Sequence, residues 1–190
     1  EHRTVGGINE QWSTLSGLIQ TDLAVISAPP NDQIITTWVS FPSGWAPERI
    51  LGQSFWGLHG PVPTFANRKK TAVNLALAMC TKGPFVRFVW TVCGDDMLDH
   101  HPTSYRKPWT GHQGGYLRVE RQVTVPLGSC AVFLIRTYLY PLDDLPNDQR
   151  QLLGRSLRCM PHSYARYKGL TRLSPIIANR LDPINQCPAD

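Results

Sequence analysis

Residues 116–140 form a pattern of two long strands joined by a tight turn, and this pattern constrains the fold more than any other part of the chain. In the first stretch, YLRVERQVTV, apolar and polar side chains alternate as in a half-buried strand. Its apolar face carries Leu117, Val119, Val123 and Val125. The second stretch, CAVFLIRTYLY, is apolar in both registers except at Arg136, which is typical of a central strand covered on both sides. We therefore expect a β-hairpin whose apolar side chains cover a core.

The composition is that of one globular domain that contacts neighbours. The chain has 190 residues, of which 42% are hydrophobic and 17% charged, unlike disordered chains with their low hydrophobicity and high charge. A single β domain of this length is ordinary. The low charged fraction and the six Trp residues predict a surface that other subunits partly cover.

Positive charge is concentrated in two places. The net charge is +5, and residues 150–190 carry seven Lys and Arg side chains, from Arg150 to Arg180, against only Asp182 and Asp190. A second, short cluster consists of Arg68, Lys69 and Lys70. Such segments attract phosphate, and RNA binding through them depends on salt and not on sequence. A solvated positive face is the alternative, because no run of consecutive basic residues marks a nucleic-acid-binding arm.

The five cysteines show neither a CxxC pair nor the spacing of a zinc site. Their odd number argues against a dense disulfide framework, and Cys80, Cys93 and Cys130 lie in or beside apolar stretches, where a free thiol behaves as a small hydrophobe. We expect a reducing compartment and no bound metal. No apolar stretch reaches the roughly 18 residues of a membrane span, and no signal peptide opens the chain. The first residue, Glu1, suggests proteolytic release.

The remaining pattern predicts mostly strands. Residues 1–20 are expected to form an extended N-terminal arm. Further strands are predicted over residues 22–27, 33–41, 50–58, 71–80 and 85–92. The stretch 71–80 also fits a helical stripe, but the turn Lys82-Gly83-Pro84 that follows favours the limb of a hairpin.

The predicted strands are followed by a long loop and one helix. Residues 94–115 are polar and lack periodicity, and a loop of this length is usually functional or lies at an interface. A helix is predicted within 143–159, starting near Asn147, and Pro-punctuated coil is predicted after it.

The long loop carries the densest set of chemically active side chains. These are Asp95, Asp96, Asp99, His100 and His101. Metal sites on strands usually place their ligands at alternate positions, whereas this cluster is contiguous. We interpret it as a solvated or subunit-contacting loop. His59 and His112 could supply missing ligands if it were a metal site.

The sequence shows no catalytic motif. A nucleophilic Cys93 or Cys130 would need His101 or His162 as its base, but Cys93 ends a predicted strand and Cys130 begins one, where a thiolate is poorly stabilised. Ser129 lacks the GxSxG turn, and the chain has no phosphate-binding glycine motif. We therefore predict no enzyme, no catalytic residue and no cofactor.

The extended runs and few helices predict an all-β fold, an antiparallel jelly-roll β-sandwich with short helices. The succession TAVNLALAM, KGPFVRFVWTV, GGYLRVERQVTVP and GSCAVFLIRTYLYPL resembles the later strands of the capsid-protein jelly roll of picorna-like viruses. NDQIITTWVSF and ILGQSFWGL stand where that family has its first strands. Among these viruses the chain is most similar to the plant-infecting secovirids with small coat proteins, such as the cheraviruses. The expected domain has an arm over 1–20, a sandwich over 21–142 and a C-terminal extension over 143–190.

The resemblance implies a structural coat protein that assembles with copies or sibling coat proteins into an icosahedral shell around an RNA genome. It implies location in the virion, assembly in the host cytoplasm, and no membrane contact. Weak, non-specific RNA contacts would be made by Arg68, Lys69, Lys70, Arg155 and Arg158. Contacts between subunits would be made by Trp12, Trp45, Trp56, Trp109, His100 and His101.

Two other functions are compatible with strands of this texture. A carbohydrate- or ligand-binding β-sandwich module would use the aromatic side chains and the Asp/His loop at a concave site. A metal-dependent enzyme on a double-stranded β-helix would need separated His and carboxylate pairs on strands, which the sequence does not show.

Overall fold

The computed structural model describes residues 3–5, 20–65 and 67–183. The strands are β1 (Arg3–Val5), β2 (Asp22–Ser27), β3 (Ile34–Val39), β4 (Phe85–Cys93), β5 (Tyr116–Leu127) and β6 (Cys130–Pro141). The helices are α1 (Phe55–His59), α2 (Lys69–Thr81), α3 (Asn147–Arg158), α4 (His162–Tyr167) and α5 (Leu173–Leu181), with 3-10 turns at Pro47–Arg49 and Leu142–Asp144. None of the helices in these ranges combines the length and the apolar character needed to cross a bilayer.

The described strands form one sheet in the order β1-β3-β2-β6-β5-β4. The pairs β1–β3, β2–β3 and β2–β6 are antiparallel. Strands β5 and β6 are joined by only two residues, Gly128 and Ser129, and a connection this short requires antiparallel neighbours. The predicted antiparallel, mainly β fold with short helices is therefore confirmed. The jelly-roll sandwich is not confirmed, because the described strands belong to a single sheet.

The strand predictions hold for the hairpin and its neighbours. Strand β2 covers the predicted residues 22–27. Strand β3 begins one residue after the predicted start at 33, and β4 ends one residue after the predicted end at 92. The hairpin β5–β6 and the start of α3 at Asn147 are also confirmed. Residues 94–115 contain no helix or strand, as expected for the long loop.

Three other predictions were wrong. Residues 71–80 belong to helix α2, because Ala, Leu and Met favour helix and the stripe Ala72, Ala76, Met79 and Cys80 is buried. Residues 50–58 contain a turn at Gly52, whose φ is +76°, followed by α1, and not a strand. The C-terminal segment contains α4 and α5 in place of the predicted coil. The predicted arm over 1–20 lies largely outside the described residues.

Strand β5 buries its polar face. Arg118 is 1% exposed and Gln122 8%, whereas Val125 on the other face is 38% exposed. The expectation that the apolar face of this strand covers the core was therefore wrong for its second half. Burying polar groups costs free energy unless they are hydrogen-bonded. The hydrogen-bond partners of Gln122 belong to the candidate functional site.

The chain divides into two compact units. The first consists of the described residues up to Val89 with Met97–Tyr105 and Val119–Tyr138, and the second of Trp90–Asp96, Arg106–Arg118 and the described residues from Leu139 onward. In the first unit, helix α2 packs its buried stripe against Ile26 of β2 and Ala131 of β6.

The second unit has its own apolar core between α3 and α5. Leu153 and Leu157 of α3 pack with Ile177 and Leu181 of α5. A Cβ at Gly154 would lie 2.6 Å from the Asp182 Cβ, so the glycine permits the close approach of this segment. The carboxylate of Asp182 accepts a hydrogen bond from Arg158 Nη1 at 3.0 Å, which neutralises a buried charge.

Trp109 of the long loop is partly buried in the second unit. Its indole Nε1 donates to the Gln113 carbonyl oxygen at 2.8 Å. Two glycines leave room for its ring, because a Cβ at Gly94 would lie 2.3 Å and a Cβ at Gly115 2.2 Å from Trp109 atoms. The ring also packs against the core of this unit.

Replacing Gly115 with Ala should destabilise the chain more than the same change at Gly114. Both glycines have positive φ, +88° and +58°, so each substitution carries the left-handed penalty of about 1–2 kcal/mol. Only G115A also collides with Trp109, which adds roughly 1–3 kcal/mol of overpacking, whereas a Cβ at Gly114 meets nothing within 4 Å. Urea unfolding of both variants measures the difference. Equal losses of unfolding free energy would contradict the proposed packing of Trp109.

Candidate functional site

His59 occupies the end of helix α1 in a geometry suited to binding a ligand. The helix begins after Ser54, whose hydroxyl accepts a hydrogen bond from the Gly57 backbone N–H at 3.0 Å. One turn later, His59 Nδ1 lies 2.9 Å from the Phe55 carbonyl oxygen. A carbonyl oxygen only accepts, so Nδ1 carries the proton in the neutral ring and Nε2 carries the lone pair. Nε2 has no hydrogen-bond partner in the part of the chain that the structure describes.

The His59 ring is kept neutral by its surroundings. Burial lowers the pKa of His59 from 6.5 to about 4, the hydrogen bond to Phe55 opposes this shift, and the positive charge of Arg87 adds to it. At neutral pH the imidazole is therefore unprotonated. A neutral imidazole with one nitrogen anchored to a backbone carbonyl is the form in which histidine ligates metals in proteins.

Aromatic rings surround the imidazole. Phe55 stacks on His59 with ring centroids 4.1 Å apart and an interplanar angle of 28°. Phe65 lies 5.6 Å from the His59 centroid and meets Phe55 edge to face at 6.0 Å. These contacts restrict the rotation of the imidazole and make the surface beside it apolar.

A chain of polar side chains crosses the sheet in the same unit. Arg87 Nε of β4 donates to Gln122 Oε1 of β5 at 2.6 Å, and Gln122 Nε2 donates to Glu120 Oε2 at 2.8 Å. The Ser43 hydroxyl donates to the other oxygen of Glu120. The guanidinium of Arg87 also lies 6.0 Å from the Phe133 ring centroid. These contacts orient the side chain of the exposed Arg87, and its positive charge lowers the pKa of His59.

Some buried polar atoms of the first unit have no hydrogen-bond partner among the described residues. These include Thr124 Oγ1 of β5, Thr137 Oγ1 of β6 and the Trp56 indole Nε1 of α1. Unpaired buried donors are rare in folded proteins and often indicate a bound water, ion or ligand. They add polar contacts that a bound group could use.

The histidines of the long loop have structural contacts instead. His101 is 4% exposed, and its Nδ1 accepts a hydrogen bond from the Thr103 backbone N–H at 3.2 Å. Its Nε2–H therefore donates to Glu48, at 3.1 Å. His100 is 6% exposed. Its backbone N–H donates to the Pro42 carbonyl oxygen, and its carbonyl oxygen accepts from the Gly44 N–H. Asp99 accepts from the backbone N–H of His101 and from Ser104. The described residues contain no group of three or more His, Cys, Asp or Glu side chains placed to hold a metal ion.

Cys93 and Cys130, the two thiols considered as nucleophiles, are free, as is Cys80. Burial is the main cause that raises the pKa of Cys93, and it also raises the pKa of Cys80, so neither favours the reactive thiolate. Cys159, by contrast, is disulfide-bonded. None of the thiols lies at a hydrogen-bonding distance from a histidine in the described residues.

The other residues singled out in the sequence are dispersed. Arg68, Lys69 and Lys70 are exposed where α2 begins, and Arg155 is exposed on α3, whereas Arg158 is engaged with Asp182. Trp45 and Trp56 pack against the core of the first unit and Trp109 lies in the second, as described above. Trp12 lies outside the described residues. A role of the tryptophans, His100 or His101 in contacts between subunits stays a prediction.

The sequence analysis gave His59 only a secondary role, as an additional ligand for the loop. The sequence pattern that indicates this site is short: His59 stands four residues after Phe55, in a segment that begins with the helix-capping residue Ser54. The prediction of a strand over 50–58 concealed that spacing, because residues four apart do not meet in a strand.

A family model described as "Haem-dependent oxidative N-demethylase, alpha subunit-like" matches residues 5–178. The chain belongs to this family. The match overturns the capsid interpretation together with its coat-protein and RNA partners and its location in a virion. The prediction of no enzyme was also wrong, since the family points to an oxidative demethylase-like enzyme subunit. The alternative of a carbohydrate-binding module finds no support either.

The family name implies haem, and the residues around His59 fit that group. Haem iron needs a protein ligand such as histidine, so the lack of a larger ligand cluster among the described residues does not conflict with it. His59 offers a neutral imidazole with Nδ1 anchored and Nε2 free of partners among the described residues, beside aromatic surface. Arg87 provides a fixed cation of the type that binds carboxylates.

Replacing His59 with Gln should flatten the acid side of the stability profile of the haem-free chain. The folded pKa of about 4 lies below the unfolded value of 6.5, so the unfolded chain binds the proton more readily between them. The free energy of unfolding is therefore not reduced by protonation of His59 above pH 6.5. It falls as the pH drops towards 4, by at most about 3 kcal/mol.

Urea unfolding of the wild type and His59→Gln across that pH range tests this. The slope of unfolding free energy against pH should be smaller in the variant. His112→Gln is the matched control, because His112 is exposed in the long loop, and it should keep the wild-type slope. Identical slopes for the wild type and His59→Gln would show that His59 is not buried as a neutral ring.

Proposed function

We propose that this chain is the haem-binding part of an oxidative N-demethylase and that His59 is the protein ligand of the iron. The observation that carries the proposal is the state of His59: neutral, with Nδ1 bound to the Phe55 carbonyl and Nε2 left for a ligand. The family match supports haem as that ligand. The enzyme class follows from the family description alone. No catalytic motif in the sequence contributes to it.

Haem would supply the redox chemistry that oxidises an N-methyl group. The side chains of this protein bind, orient and tune the group, as proteins do for redox cofactors. The hydrogen bond from Nδ1 to Phe55 fixes the direction of the Nε2 lone pair and increases the basicity of the ring. The stacked Phe55 holds the ring plane, and burial prevents protonation that would compete with iron.

Arg87 is the residue suited to hold a haem carboxylate. Its guanidinium is oriented by the 2.6 Å hydrogen bond to Gln122 and by the Phe133 ring. Gln122 is fixed in turn by Glu120, which the Ser43 hydroxyl binds from the other side. An arginine that is oriented in advance loses little side-chain entropy when it binds a carboxylate. This role explains why β5 turns a polar face inward.

Haem titration of the purified chain tests the iron ligand. The wild type should show a saturable shift of the Soret band. His59→Ala should change the band position and weaken binding by about tenfold or more, because the ligand nitrogen is removed. Added imidazole should restore the wild-type band in this variant. His112→Ala, the control in the exposed loop, should bind as the wild type does. A wild-type spectrum and affinity in His59→Ala would rule out His59 as the ligand.

Arg87→Gln should separate anchoring from ligation. Loss of the charge should weaken haem binding by about tenfold, the usual effect of removing one charged hydrogen bond, because 1.4 kcal/mol corresponds to a factor of ten. The Soret position should stay that of the wild type, since His59 is unchanged. Arg155→Gln, on the exposed face of α3, is the matched control and should have no effect. An altered band with normal affinity would contradict an anchoring role for Arg87.

A further inference from the structure

A depression of about 190 Å³ lies on the face of the sheet opposite to Gln122. Its lining consists of Thr21, Arg121, Val123, Leu134, Arg136 and Tyr138. Arg121 and Val123 flank Gln122 in β5, and alternate residues of a strand point to opposite faces. The depression is therefore distinct from the His59 site, and the inference drawn from it does not rest on the proposed haem function.

The strand register brings the polar lining residues into one row. The two-residue turn sets Leu127 opposite Cys130, and counting back along both strands sets Arg121 opposite Arg136. The same count pairs Val123 with Leu134, which line the same depression. Asp22 pairs with Ile135, so the next residue, Thr21, lies beside Arg136. Thr21, directly before β2, thus lies in one row with Arg136 of β6 and Arg121 of β5.

The two arginines carry positive charge that no carboxylate among the described residues pairs with. Arg136 Nη2 donates to the neutral Gln20 amide oxygen at 2.9 Å, and its guanidinium lies 5.4 Å from the Tyr138 ring centroid. No carboxylate of residues 20–65 or 67–183 lies within salt-bridge distance of Arg121 or Arg136. Like charges that face each other on neighbouring strands destabilise a sheet. A bound anion would remove this repulsion.

We infer that this depression binds a phosphate group. Guanidinium forks match the geometry of phosphate oxygens, and two neighbouring positive charges without a carboxylate partner among the described residues favour a dianion over a monovalent carboxylate. The Thr21 hydroxyl can donate a further hydrogen bond to the same group. Val123 and Leu134 form an apolar floor, on which the remainder of a phosphorylated molecule would rest. The ligand is therefore inorganic phosphate or the phosphate of a larger organic molecule.

Thermal unfolding and calorimetry of the full chain with inorganic phosphate test this site, with chloride added to hold the ionic strength constant. Phosphate should raise the melting temperature of the wild type and bind in a saturable manner. Arg121→Gln and Arg136→Gln should each weaken phosphate binding by about tenfold or more, the loss of one charge-assisted contact. Arg155→Gln, an exposed arginine outside the depression, should bind as the wild type does.

The phosphate-free measurements provide a second test. Without phosphate, Arg121→Gln should be at least as stable as the wild type, because it relieves the repulsion between the two guanidinium groups. Phenyl phosphate distinguishes the two sources of the ligand: tighter binding than inorganic phosphate favours a larger phosphorylated molecule, and equal binding favours the free ion. Equal protection by chloride alone, or unchanged phosphate binding in both Gln variants, would overturn the inference.

Discussion

The antiparallel ladder of β2, β6 and β5 is the constraint on which the rest of this protein depends. Side chains alternate along each strand, so one residue of slip would exchange the two faces of the sheet. In the observed register Gln122 points into the first unit and orients Arg87, while Arg121 next to it points to the opposite face and lines the same depression as Arg136. The two-residue turn at Gly128 and Ser129 fixes this register.

Strand β5 turns polar side chains inward, and Arg118, Gln122 and Thr124 on this face are buried. Burial of Gln122 is tolerated because its side chain bonds Arg87 on one side and the half-buried Glu120 on the other, and Glu120 in turn accepts from Ser43. An apolar face would have made a simpler core. Sites where a sequence departs from the expected pattern are often functional, and here the departure lies in the same unit as the anchored, neutral ring of His59.

The strand pattern could be predicted but its assembly could not. Alternation located β2, β4, β5 and β6, yet it suits a single sheet covered by helices as well as a jelly roll. The stretch 71–80 fitted both periods, and packing of Ala72 and Ala76 against Ile26 and Ala131 decided for the helix. The viral resemblance rested on strand texture, which many unrelated functions share, so the family match overturned it.

The sequence alone determined the hairpin, the helix beginning at Asn147 and the absence of a familiar catalytic motif, because these depend on neighbours along the chain. Only the tertiary structure decided that the polar face of β5 is buried and that His101 is hydrogen-bonded to Glu48 and Thr103. It also decided that His59 keeps one nitrogen without a partner among the described residues. Hydrogen-bond partners, burial and the pKa of a histidine are set by groups that are distant in the sequence. Periodicity carries no information about which of those groups will meet.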